Sequence, residues 1–216
     1  MGHHAARFLT TARHLHRAGR GILGVVRTWK RRGRGSATRI CSQLDVHEAE
    51  LLASMVTSMR ELLAERESTA PSDDLSALTG IPVGHTSPPT DATLGRLLPD
   101  FHRPDQDEIL DAGVVTGDIN GALRSVHEPH IIDAKMSAAQ VVLDTLPDGG
   151  GELALTEAEA TQWLSALNDI RLALGAMLGV SEDTPDHLPA DHPHAAHLDV
   201  YHWLTVMQEL LVEALM

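Results

Sequence analysis

The sequence predicts a mainly α protein: a single compact helical domain of about six or seven helices, at most one small two-stranded sheet, and a basic N-terminal arm. Three observations carry this. Hydrophobic residues make up 43% of the 216 positions but aromatics only 3%, and Leu and Ala dominate, a balance that suits helices better than sheets. Apolar residues recur at helical spacing in several long stretches. The charge is also divided. Residues 1–40 hold 10 Lys and Arg and no acid, which leaves 7 cations against 30 anions, a net −23, on the remainder. A basic tail on an acidic body follows.

Residues 1–28 read either as a disordered basic arm or as an over-extended start, and residues 29–216 as the folded domain. Residues 37–44 predict a short strand. Asp45-Val46-His47-Glu48 is a capping box, and Leu52, Val56, Met59, Leu62 and Leu63 continue it as a helix to about Arg66. The plan recurs after Gly149-Gly150-Gly151: a strand at Glu152–Leu155, a capping box at Thr156–Glu159, and a helix marked by Trp163, Leu167, Ile170 and Leu174 that ends near Gly179. The two strands are predicted to pair.

Weaker helices are expected at Ser72–Leu78 and Thr90–Leu98, with residues 104–118 an acidic exposed loop. Thr116–His127 and Pro129–Leu146 read as a helical pair split at Glu128-Pro129, because proline suits a first helical turn and disrupts an interior. The last helix, about Ala195 to Leu215, is apolar on most faces. Such a helix lies at the centre of a core or in a homodimer interface.

The chemistry is constrained mainly by exclusion. The sole cysteine, Cys41, rules out an internal disulfide or a paired-cysteine metal site and fits a reducing cytoplasm. No apolar run reaches the roughly 18 residues of a membrane span, and no phosphate loop, nucleophile elbow or dinucleotide fingerprint occurs. Histidines and acids gather at Asp186, His187, Asp191, His192, His194, His197 and His202, but three prolines interrupt their spacing. His127-Glu128-Pro129-His130 with Asp133 lacks the spacing that puts two imidazoles on one helical face and reads as a cap. No metal or cofactor is therefore assigned, and no catalytic residue.

Three groups remain. Cys41 is the redox candidate: a nearby cation would favour its thiolate, and burial on a strand would instead make it a small hydrophobe. Lys30, Arg31, Arg32 and Arg34 can contact phosphates while Trp29 stacks on a base, so that any DNA contact falls to the basic arm. Arg124, Asp133, Lys135, Asn168, Asp169 and Arg171 interrupt apolar helices and are expected to form a buried polar network, since an unpaired buried charge is costly. The acidic body better matches a protein partner with a basic surface.

Six stretches carry a resemblance: WKRRGRG (29–35), PSDDLSALTG (71–80), RLLPDFHRPD (96–105), ALRSVHEPHIIDAK (122–135), LTEAEATQWLSALNDIRLALG (155–175) and HLDVYHWLTVMQELLV (197–212). Together and in this order they resemble an actinobacterial domain-of-unknown-function family, usually encoded beside a Clp-protease adaptor and sulfur-mobilisation genes. The resemblance implies a cytoplasmic, non-enzymatic, oxidative-stress-responsive transcription regulator that acts with a stress sigma factor or RNA polymerase and promotes cysteine synthesis. Its alternative is an accessory protein of the Clp degradation or cysteine-synthesis machinery without DNA contact. The family is expected to read its redox signal with a pair of cysteines. Cys41 has no second cysteine here, so sensing would need an intermolecular disulfide, a mixed disulfide or a sulfenic acid.

Overall fold

A computed structural model describes residues 27–71, 83–102 and 112–216. The elements run β1 (Lys30–Arg32), a 3-10 turn (Gly35–Ala37), β2 (Arg39–Leu44), α1 (Val46–Ser68), α2 (Ala92–Leu97), α3 (Ala112–Thr145), β3 (Gly151–Leu155), α4 (Glu157–Leu178) and α5 (Ala195–Leu215). The mainly helical fold is as expected. The helix expected at 72–78, residues 1–26 of the arm, and residues 103–111 of the acidic loop lie outside the described residues.

Local chemistry sets several boundaries directly. Asp45 accepts from the Glu48 amide at 2.8 Å while the Glu48 carboxylate accepts from the Asp45 amide at 2.8 Å, which satisfies two of the free donors at the start of α1. Thr156 and Glu159 repeat the arrangement at the start of α4. Gly179 ends α4 in a left-handed conformation, φ 65°, where a side chain would be strained.

α4 is the central element. It packs against α1, α2, α3, α5 and the sheet and buries Trp163, Leu167, Ile170 and Leu174. α5 lays Leu198, Trp203, Leu204, Met207 and Leu211 into the same core. No helix among the described residues is long and apolar enough to cross a membrane.

The sheet has three antiparallel strands in the order β1-β2-β3, not two. Residues of the basic cluster expected to contact phosphates supply its edge. Ile40 pairs with Leu155 and Arg31, and Cys41 with Ala154 and Lys30. Trp29, just before β1, is only 7% exposed and meets Trp163 edge-to-face with ring centroids 5.8 Å apart. This anchor holds three consecutive cations in a strand that their own composition would not favour.

α3 corrects the sequence reading twice. It starts at Ala112, inside the expected acidic loop, and it runs unbroken through Pro129. Its early turns are tied down by Asn120, whose Oδ1 accepts from the Phe101 and His102 amides and whose Nδ2 donates to the His102 carbonyl. Pro129 cannot donate to the carbonyl of Ser125 four residues back. The amide of Gly84 does so instead, at 2.7 Å. Only glycine fits at that approach: a Cβ on Gly84 would lie 2.8 Å from Pro129 Cδ. Gly84→Ala should therefore cost about 1–3 kcal/mol, read as a fall in urea midpoint; an unchanged midpoint would mean that the Gly84 segment does not clamp the helix.

Gly149-Gly150-Gly151, read from sequence as no phosphate cradle, packs against the start of α1. A Cβ on Gly150, φ 80°, would sit 2.7 Å from the Asp45 carbonyl carbon and the Val46 nitrogen.

Candidate functional site

Polar groups of the helices form separate clusters, whose members are only partly the expected ones. Arg124 is 1% exposed. Its Nη1 donates to Glu128 Oε2 at 2.7 Å and to the Leu98 carbonyl at 3.1 Å, and its Nη2 donates to Asp100 Oδ1 at 2.7 Å. Arg66 completes the cluster from α1: Nε donates to Glu128 Oε1 at 2.8 Å and Nη2 to the Ser87 carbonyl at 2.7 Å. The buried Glu128 carboxylate thus sits between two guanidiniums, in the middle of α3. It caps no helix.

In the second cluster Lys135 Nζ donates to Asp169 Oδ1 at 2.6 Å, across α3 and α4. In the third, Asn168 Oδ1 accepts from Arg171 at 3.3 Å and from Gln208 of α5 at 3.4 Å. Asp133 joins none of them. It is exposed on the outer face of α3. Glu128, Arg66, Asp100 and Gln208 were missed. The four-residue spacing of Arg124 and Glu128 was the available signal for the first.

Between α3 and α4 an open cleft of about 570 Å³ is walled by Phe101, His127, His130, Ile131 and Lys135. Phe101 also lies over Arg124, 5.8 Å from its guanidinium carbon. His127 and His130 are thus cleft residues rather than caps.

The redox and phosphate candidates meet on the sheet. Residues directly paired across antiparallel strands share a face. Lys30, Cys41 and Ala154 therefore lie on the outer face, with Arg32 and Arg39, and with Gln43 opposite Glu152. Ile40, Leu153 and Leu155 fill the inner face. Cys41 is half-buried and lines a second cavity of about 360 Å³ together with Arg27, Lys30, Arg32, Gln43 and Glu152. Arg31 points the other way. It is ion-paired with Glu157 at the start of α4 and reaches the Leu215 carbonyl. Trp29 is core and offers no face to a base.

In the 186–202 stretch the His192 and His194 rings lie tilted to each other with centroids 5.7 Å apart, and His194 and His197 meet edge-to-face at 6.1 Å. Among the described residues no group of three or more His, Cys, Asp or Glu is placed to hold a metal ion.

A profile for a domain of unknown function, DUF2017, matches residues 26–215. The chain belongs to the DUF2017 family. It is 52% identical over 200 residues to a protein named oxidative stress regulator AosR from Mycobacterium tuberculosis, covering 91% of this chain and 92% of that one. A Mycobacterium bovis protein of the same name matches equally, and a Mycobacterium leprae protein named putative oxidative stress regulator AosR is 50% identical over 88% of this chain and 89% of its own. No solved structure matches.

Within this DUF2017 chain the Asp169 carboxyl is displaced from its ordinary titration. Burial raises the Asp169 carboxyl above its usual 3.8, against the lowering pull of the Lys135 hydrogen bond and charge. Its Oδ2 is buried without a partner. A carboxyl whose pKa is raised by folding contributes stability fully below its unfolded value and loses that contribution as the pH rises through its folded value. Asp169→Asn removes this loss. The stability difference between variant and unmodified protein should move in the variant's favour as pH rises from about 4 towards 7. Urea melts across that range check it; a difference that is flat with pH, or moves the other way, refutes the assignment.

Proposed function

We propose that this chain is a non-enzymatic oxidative-stress regulator that controls transcription through protein partners, a stress sigma factor or RNA polymerase, and so promotes cysteine synthesis in the cytoplasm. The observation that carries this reading is the 50–52% identity, across about nine-tenths of both chains, to proteins named oxidative stress regulators. The charge layout supports the protein-partner part. Residues 41–216 carry a net −23, which disfavours nucleic acid at close range and favours a partner with a basic surface. DNA contact would fall to the basic residues at the N-terminal end and on β1, and self-association to α5.

The test is binding of the full chain to purified RNA polymerase, with and without the stress sigma factor, at low salt and with and without peroxide. Binding that weakens as salt rises is expected. If neither polymerase nor sigma factor binds while proteins of Clp degradation or cysteine synthesis co-purify, the accessory role replaces this one. Peroxide dependence that disappears in Cys41→Ser would add Cys41 to the signal.

A further inference from the structure

We propose that the cavity on the outer face of the sheet is a binding site for a small polyanion, seated by Arg27, Lys30 and Arg32 with the Cys41 thiol in its wall. The inference stands on the cavity's charge and shape and does not depend on the regulator reading. Three cations and one carboxylate, Glu152, line a space of about 360 Å³. Two nearby cations outside it are already occupied: Arg31 by Glu157 on the opposite face, and Arg39 by the Ser36 and Thr38 carbonyls. Arg27, Lys30 and Arg32 have no carboxylate partner within ion-pair distance among the described residues.

Like charges gathered in a concave site repel one another, and the cavity walls focus their field. A bound counter-anion relieves that repulsion. The rest of the molecule is strongly acidic, so an anion is repelled elsewhere and drawn here. Gln43 adds a polar group to the wall, while the Ser42 hydroxyl donates to the Arg27 carbonyl. The volume lies at the small end of ligand pockets. It suits a compact di- or trianion bearing phosphate or carboxylate groups, not a nucleic-acid duplex.

The strands fix the thiol beside the charges. Cys41 is paired directly with Lys30 on one side and Ala154 on the other, so the nearest cation in register is one of the three. An anion held in the cavity is therefore next to Cys41, and a thiol-reactive anion would be concentrated there ahead of a neutral one.

The same thiol reports on the site, because the chain has no other cysteine. The full chain is treated with a dianionic bis(nitrobenzoate) disulfide and, separately, with a neutral dipyridyl disulfide, at constant ionic strength. In each, the Cys41 thiolate attacks one sulfur, a new disulfide joins Cys41 to that half, and the other half leaves as a measurable thiolate or thione. Lys30→Gln with Arg32→Gln should slow the dianionic reagent about 10-fold more than the neutral one, whose slowing reports only the lost support of the thiolate. Inorganic pyrophosphate should protect the unmodified chain from the dianionic reagent saturably, and should not protect the double variant. Lys30 and Arg32 are exposed strand residues, and an unchanged circular dichroism spectrum confirms that the variant folds. The proposal is overturned if the variant slows both reagents alike or neither, or if pyrophosphate gives no saturable protection. It is also overturned if a short single-stranded oligonucleotide protects at lower concentration than pyrophosphate, which would make the surface a nucleic-acid groove.

Discussion

Arg124→Met is expected to lower stability by about 3–5 kcal/mol, a large share of the roughly 5–15 kcal/mol that holds a domain together. The loss comes mostly from what is left behind. Glu128 is as buried as Arg124, and without Arg124 its Oε2 keeps only the long 3.4 Å contact to Arg66. The Leu98 carbonyl loses its side-chain donor, and Asp100 loses its tether to α3. The methionine roughly fills the aliphatic volume, so packing is a minor contributor. Urea unfolding at neutral pH measures the loss. Adding Glu128→Gln should recover part of it, because a buried carboxylate left with Arg66 as its one cation is then gone. A single-variant loss under about 1 kcal/mol would mean that the cluster behaves as a solvated ion pair and does not fix α1, α2 and α3 together.

That cluster shows where sequence reasoning succeeded and where it stopped. Arg124, Lys135, Asp169 and Arg171 were legible because each is a polar group among apolar helical positions. Which of them pair, and the partners of Arg124, were not, because pairing is decided by which helices meet. Asp133 was misplaced for a local reason. It lies nine residues after Arg124, which at 3.6 residues per turn is half a turn round the helix, so it faces solvent while Arg124 and Glu128 face inward.

The fold divides in the same way. Both capping boxes were readable because four adjacent residues contain the whole interaction. The continuity of α3 was not, because the donor that rescues the Ser125 carbonyl is Gly84, on a separate segment. β1 was hidden for a similar reason: Lys30-Arg31-Arg32 has no alternation of its own and becomes a strand through Trp29 in the core and Cys41, Ile40 and Arg39 across the ladder. The cation cavity was legible only as two lists, a thiol and a basic run, which the strand register brings onto one face.

Trp163→Ala is expected to cost about 3–5 kcal/mol, and its consequences should reach the cavity. Trp163 is 0% exposed. Its indole Nε1 donates to Thr145 Oγ1 at 2.7 Å, and its ring receives Trp29 edge-on. Alanine leaves a void at the centre of α4, an unpartnered acceptor on Thr145, and a Trp29 ring with nothing to pack on. Trp163→Phe separates these effects. It keeps an aromatic face for Trp29 and removes the hydrogen bond, so it should cost markedly less than alanine. Trp29→Ala in each background completes a cycle in which the ring pair should couple by about 0.5–1.5 kcal/mol. Because Trp29 anchors β1, Trp163→Ala should also erode the preference of Cys41 for the dianionic disulfide, under conditions where the chain is still folded, while Trp163→Phe should retain it. Loss of stability with that preference intact would show that β1 is held by its ladder with β2 alone, and that the tryptophan pair serves the core without positioning Lys30 and Arg32.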